Sequence, residues 1–166
     1  VERQVRVTLP ASQTGPAANT PAEQAQIATS VAQLTQGGGI GGVGGEGLGG
    51  AVTDPATLAA LNNPTSNGQA QQLKLLYPYD DTVWPRGLLA PLLQWDWTFG
   101  DADAVKIELE TSSGSFTYSG TFGKPSILSQ TQGNMIRHPI PQGAWKMATN
   151  SAGGKTLDNS PELLTM

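Results

Sequence analysis

The chain lacks cysteine, long apolar runs and any cluster of basic residues. The absence of cysteine from its 166 residues excludes disulfides, zinc–cysteine sites, iron–sulfur clusters and covalently attached c-type haem. The formal net charge is -4, and no Lys or Arg lies between Arg6 and Lys74. Because binding to a phosphate backbone requires a basic stripe, we predict that nucleic acid is not a partner. No apolar run approaches the roughly 20 residues of a transmembrane helix, so we predict no transmembrane segment.

Charge of either sign is also scarce, whereas glycine and proline are abundant. Charged residues are 13% of the chain, about half their share in a typical soluble domain. The 21 glycines and 12 prolines accompany many Ser, Thr, Asn and Gln residues, which is typical of secreted surface proteins and linkers. The sequence begins at Val1, and we interpret it as a mature or excised segment of an exported protein. We therefore predict an extracytoplasmic location (periplasm, outer surface or secreted), with a lipid anchor in the precursor as an open alternative.

Residues 1–70 are predicted to form an extended, low-charge arm. Residues 1–10 have the period-two alternation of a short strand that ends at Pro10, and a polar loop follows. A capping box starting at Thr20 predicts a helix over residues 20–36. Residues 37–50 are Gly-rich and costly to order, so a neighbouring protein surface is the simplest means of holding them. Six apolar residues are the candidate anchors to that partner: Ile27, Val31, Leu34, Ile40, Val43 and Leu48.

A second short helix is predicted near the end of this arm. Thr53 or Asp54 is its candidate N-cap, Pro55 occupies the first helical position, and Asn62-Asn63 ends it. We place the domain boundary in the polar linker that follows, near residue 70.

Residues 71–166 are predicted to form an antiparallel β-sandwich. Aromatic and β-branched residues alternate with turn signals at short spacing, and the predicted strands cover residues 73–77, 88–99, 104–112 and 114–123. Residues 100–103 are predicted to form a hairpin turn, residues 124–134 a loop, and residues 142–148 a helical turn. The fold class predicted is mainly β, an immunoglobulin-like sandwich that is incomplete at its C-terminal end and open to strand addition.

The run LLYPYDDTVWPRGLLAPLLQWDW, with the later segments FTYSGTFGKP and IRHPIPQGAW, resembles a domain of large exported bacterial proteins and lipoproteins. That family is immunoglobulin-like or fibronectin-III-like, and the resemblance covers about residues 73–148. It implies a sandwich domain within a larger extracytoplasmic assembly. Some relatives of this kind carry a haem-attachment motif, but this chain has no Cys-x-x-Cys-His, so no cofactor is predicted.

The candidate surface residues are aromatic. Tyr77, Tyr79, Trp84 and Trp145 flank predicted turns and are predicted to form an exposed surface for a glycan or a partner. Trp95 is instead predicted to be the central core aromatic. The lone histidine, His138, is predicted to donate a hydrogen bond to a backbone carbonyl, and no catalytic or metal-binding residue is predicted.

These observations favour a non-enzymatic structural or interaction module. In this hypothesis the chain docks onto other protein subunits of an assembly through its N-terminal arm and a sheet edge. Two alternatives stay open: a carbohydrate-binding surface module that recognises polysaccharide, and an accessory subunit of a periplasmic redox complex, which only the resemblance suggests.

Overall fold

The computed structural model describes residues 8–16, 30–32, 46–64, 73–85, 87–98, 100–152 and 164–165. Within these ranges the chain is mainly β, with two small open sheets and few helices. The strands are β1 (Leu9–Thr14), β2 (Leu73–Tyr77), β3 (Leu92–Trp97), β4 (Ala104–Glu110), β5 (Phe116–Gly123), β6 (Arg137–Pro139) and β7 (Leu164–Thr165). The helices are α1 (Pro55–Asn62), α2 (Ser126–Thr131) and α3 (Gln142–Ser151).

The larger sheet has the strand order β1-β5-β4-β7 and is centred on the hairpin of β4 and β5. Along β4 the apolar Val105, Ile107 and Leu109 are buried, and polar side chains alternate with them. Phe116 and Tyr118 are buried in the same way on β5. The predicted period-two alternation of both strands is confirmed, because one face of this sheet covers the core.

Strand β1 begins at Leu9 and continues through Pro10, the residue at which the predicted strand was expected to end. It pairs in parallel with β5, and residues 11–14, predicted as loop, are part of it. The backbone N–H of Leu9 donates to the Ser115 carbonyl just before β5, and that of Gly15 donates to the Thr121 carbonyl within it, so the odd-numbered residues of β1 face that strand. Pro10 therefore lies where its missing N–H would point away from the sheet, and it does not interrupt the pairing. The loop prediction was wrong because β5 supplies partners that local sequence does not reveal.

The smaller sheet has the order β2-β3-β6, and all its pairings are antiparallel. Strands β3 and β4 lie in different sheets, so the predicted hairpin at residues 100–103 is wrong. The connection crosses between the sheets. There the Asp101 carboxylate accepts a hydrogen bond from the Met135 backbone N–H at 2.7 Å and pairs with Lys124. These bonds tie the crossing to the segments before β6 and after β5.

The helices follow their predicted caps in one case and depart from the prediction in two. Helix α1 begins as expected, with the Asp54 carboxylate accepting from the Thr57 N–H at 2.7 Å. Helix α2 lies within the predicted loop 124–134, since Ile127 and Leu128 bury their side chains there. Helix α3 continues to Ser151, three residues beyond the predicted turn. None of the helices in the described ranges has the length and hydrophobicity to cross a membrane.

Both sheets contribute to one core. Trp95 of β3 is 2% exposed, as predicted for the central aromatic, and belongs to the same buried cluster as Ile107 and Phe122 of the larger sheet. Leu48 also belongs to this cluster, and β1 extends the larger sheet. Parts of the predicted arm therefore pack with the residues after position 73. How much of the remaining segment 1–70 is extended stays a prediction.

Candidate functional site

Four aromatic residues singled out in the sequence form a continuous row in space. Tyr79 contacts Tyr77, Tyr77 contacts Trp84, and Trp84 contacts Trp145, with ring centroids 5.9, 6.0 and 5.6 Å apart. Each pair meets edge to face, at interplanar angles of 86°, 84° and 87°. This geometry is favourable for aromatic pairs and fixes the rings relative to one another. The tyrosines at the end of β2 are thereby connected to helix α3.

The aromatic row runs from solvent into the core. Tyr79 is 72% exposed, Tyr77 and Trp84 are partly buried, and Trp145 is only 4% exposed. The Trp145 indole N–H donates to the Leu88 backbone carbonyl at 3.2 Å. The prediction that Trp145 forms part of an exposed surface was wrong, because α3 places this ring in the core. Its role is to anchor the row from within.

A tight turn holds the exposed end of the aromatic row. The Tyr79 carbonyl accepts hydrogen bonds from the Thr82 hydroxyl at 2.6 Å and the Thr82 N–H at 3.3 Å. Asp81, at the third position of this turn, has φ 58, a left-handed conformation that Asp tolerates better than most residues. Asp80 and Asp81 are both exposed. The turn thus presents two carboxylates beside an aromatic ring.

Several large apolar side chains surround this turn without being buried. We call them the apolar turn surface, and their exposed fractions are 42% for Leu76, 72% for Tyr79, 76% for Val83, 49% for Leu88 and 54% for Leu89. The backbone of two of them is held in place: the Tyr79 carbonyl accepts from Thr82, and the Leu88 carbonyl accepts from Trp145. Large exposed apolar side chains grouped along one short stretch of chain are candidates for an interaction site.

Only one member of the apolar turn surface, Tyr79, was predicted from the sequence to be a surface residue. Leu88 and Leu89 were assigned to a buried strand, but β3 begins at Leu92. A signal was nevertheless present. Pro78, Pro85 and Gly87 interrupt the run YPYDDTVWPRGLL, so its apolar residues have no strand or helix period that could bury them.

The two tryptophans of the aromatic row should respond differently to replacement by phenylalanine. Trp145→Phe leaves the Leu88 carbonyl without its buried donor, whereas Trp84→Phe removes an indole N–H that is buried and has no acceptor within the described ranges. We expect Trp145→Phe to lower the free energy of unfolding by about 1 kcal/mol more than Trp84→Phe. Urea unfolding of both variants measures this difference. Equal losses would show that the Leu88 bond contributes nothing.

A second cluster pins the end of the Gly-rich segment to β6. The Arg137 side chain makes a two-pronged ion pair with Glu46, in which its Nε lies 2.8 and 3.0 Å from the two carboxylate oxygens. The next residue, His138, accepts a hydrogen bond at Nε2 from the Gly49 backbone N–H at 2.9 Å. We call residues 46–50 the strap. Adjacent residues of one strand therefore hold it through a charge pair and a neutral bond.

Between these two bonds Leu48 is 5% exposed and packs in the core. The prediction that Leu48 anchors the chain to a neighbouring protein was wrong, since the chain's own core takes up this side chain. Of the other predicted anchors, Val31 is helical and 45% exposed, so it is available to a partner. Ile27, Leu34, Ile40 and Val43 lie outside the described residues.

His138 is completely buried and packs against Phe122, with ring centroids 4.6 Å apart and the rings tilted by 38°. Burial lowers the pKa of His138 to about 3, and the nearby Pro139 backbone offsets this only in part. The ring is therefore neutral at pH 7, and because Nε2 accepts the Gly49 N–H, the ring proton lies on Nδ1. The imidazole also acts as an acceptor, a role that the sequence did not predict, and its expected donation to a backbone carbonyl stays a prediction. The Nε2 lone pair accepts the hydrogen bond from the Gly49 N–H of the strap.

Carboxylates in the described ranges do not gather into a metal centre. No three or more His, Asp or Glu side chains lie close enough there to hold an ion. Asp101 and Glu46 each pair with a cation instead. Their chemistry in this structure is to hold segments together.

Comparisons with known proteins identify no relative: no protein-family model matches, and neither the curated proteins nor the solved structures contain a significant match. The resemblance to an immunoglobulin-like domain therefore stays a prediction.

Proposed function

We propose that this chain is a non-enzymatic interaction module of an extracytoplasmic assembly, and that it docks onto another protein through the apolar turn surface. The observation that carries the proposal is the exposure of Val83 and Tyr79, which are 76% and 72% accessible. Leaving such side chains in water forgoes about 1.5–3 kcal/mol each that burial would provide. A partner that covers them recovers this energy.

The apolar turn surface is held rigidly, which favours a role in binding. The aromatic row and the hydrogen-bonded turn hold Tyr79 in one place, so little conformational entropy is lost when a partner binds. Exposed aromatic residues set on a rigid base are the usual anchors of protein interfaces. We propose that the larger frame is an immunoglobulin-like sandwich, supported by two sheets that share one core.

The proposal predicts that a charge at the centre of the surface disrupts assembly. We expect Val83→Asp to shift the tagged chain, purified from its source cells, from a larger complex to the mass of a free chain. Leu9→Asp is the matched control, because Leu9 is 57% exposed but lies on β1 in the other sheet. Native mass measurement distinguishes the two. A Val83→Asp chain that stays in the complex would contradict the proposal.

Carbohydrate binding is the second candidate, and the exposed ring of Tyr79 is the observation that favours it. Sugars stack on flat aromatic faces, but neighbouring rings in this row stand nearly perpendicular and share no plane. Affinity electrophoresis in polysaccharide gels tests the alternative. Retardation of the native chain that Tyr79→Ala abolishes would establish glycan binding.

A further inference from the structure

Strand β2 has an unpaired outer edge. It pairs with β3 on one side, and no strand in the described ranges pairs with its other side. Its sequence, LKLLY, has one charged residue and no proline. Edge strands in soluble proteins are usually protected by charge, proline or a covering segment. Within the described ranges this edge has one charged side chain, no proline and no paired strand to protect it.

The register identifies which backbone groups face outward. The Trp95 N–H donates to the Ile136 carbonyl, so the backbone groups of Trp95 point toward β6. Leu75 lies opposite Trp95, and Leu73 lies opposite Trp97. Because hydrogen-bonded and non-bonded pairs alternate in an antiparallel ladder, the N–H and C=O groups of Leu73 and Leu75 point away from β3. Two residues therefore offer donors and acceptors to another strand.

The apolar turn surface continues from the end of this edge. Leu76 of β2 belongs to that surface, and the exposed Asp80 and Asp81 follow the strand within roughly 10 Å of chain. The side chains of Leu73, Leu75 and Tyr77 are only partly buried. An added strand would cover them, satisfy the outward backbone groups and bring its side chains beside Leu76. A basic residue at the end near the turn would meet the two carboxylates.

We propose that the β2 edge takes up an extended apolar segment of a partner protein, which carries a Lys or Arg near Asp80 and Asp81. This deepens the proposed docking function and rests on it. Backbone pairing supplies affinity in this mode, while the apolar turn surface and the carboxylates select the side chains.

The test selects random 12-residue peptides, displayed on phage, against the immobilised full chain. We expect the enriched peptides to alternate apolar residues with polar ones and to include a Lys or Arg. Leu75→Pro removes an outward N–H without breaking a bond to β3, and Leu75→Ala is its matched control for lost side-chain packing. We expect Leu75→Pro to weaken binding by about tenfold relative to Leu75→Ala. The double variant Asp80→Asn, Asp81→Asn should weaken it for basic peptides only.

Hydrogen exchange on the unaltered chain provides a readout if Leu75→Pro does not fold. Bound peptide should protect the Leu73 and Leu75 amides from exchange. Unchanged exchange at both amides, or equal binding by the proline and alanine variants, would overturn edge addition. If Val83→Asp abolishes binding while these edge readouts do not change, the chain docks through the apolar turn surface but not by adding a strand to β2. If no peptide is enriched, or if the chain associates only with its own copies, the proposed heterologous partner is wrong.

Discussion

Acidification from about pH 7 to about pH 4.5 should lower the free energy of unfolding by about 2–3 kcal/mol through His138 alone. The ordinary histidine pKa is 6.5, and burial lowers that of His138 to about 3 in the folded chain. Between pH 3 and pH 6.5, His138 is protonated in the unfolded chain but neutral in the folded chain. The free energy of unfolding therefore falls as the pH falls through this range. The contribution is complete above pH 6.5 and lost as the pH approaches 3.

The matched variant for this prediction is His138→Gln, whose amide oxygen keeps an acceptor for the Gly49 N–H but does not titrate. We expect the variant to be less stable at pH 7, since it loses the ring contact with Phe122. Its stability should change little between pH 7 and pH 4.5. Carboxylates ionise mainly below that window, so they do not obscure the comparison. Urea unfolding at several pH values measures how the free energy of unfolding changes with pH for the native chain and for His138→Gln. The same pH dependence in both would show that His138 is not the group responsible.

The same protonation should loosen the strap before the chain unfolds. A protonated Nε2 cannot accept the Gly49 N–H, which then lacks a partner in a buried place. The protection factor of the Gly49 amide, which is corrected for the intrinsic pH dependence of exchange, should therefore fall on acidification more than that of the Lys124 amide, which bonds the Asp103 carbonyl outside the strap. An equal fall at the two amides would indicate global opening instead.

Gly49→Ala is expected to cost about 3 kcal/mol of stability. A β-carbon at this position would overlap the Gly123 carbonyl oxygen and lie 3.2 Å from the Phe122 β-carbon. The obstacle is backbone, so no side chain can rotate to relieve it. Either the strap must leave β5, or the end of β5 must shift.

Gly50→Ala is the control, because a β-carbon at Gly50 meets nothing within 4 Å. Replacing glycine at such a position changes stability by at most about 1 kcal/mol, through the unfolded chain. Thermal or urea unfolding of both variants compares two neighbouring glycines with the same substitution. If the two variants are equally stable, the strap does not pack against β5 as closely as the structure indicates.

The local sequence pattern was sufficient to predict those helices and strands that are stabilised by residues close in sequence. The alternation of Val105, Ile107 and Leu109 predicted β4 because a half-buried strand requires a period of two. Asp54 and Pro55 predicted the start of α1 because a cap bonds its own first turn. In both cases the forces act over a few residues, and sequence records them directly.

The candidate site was predicted only in part for a related reason. Sequence selected Tyr77, Tyr79 and Trp84 as surface aromatics, and the structure places their rings in contact. It misjudged Trp145, whose burial depends on the Leu88 carbonyl 57 residues earlier in the chain. It also assigned Leu88 to a strand, because an apolar run alone does not reveal where pairing begins.

The amino-acid sequence determined the β-rich character, the N-cap of α1 and the scarcity of charge, since each follows from composition or from residues near one another along the chain. Tertiary structure decided which strands share a sheet, that Leu48 enters the core, and that a neutral His138 holds the strap. Those outcomes depend on contacts between residues far apart in sequence, such as Gly49 and His138. Their free energy exists only once the intervening chain has folded, so no local pattern encodes it.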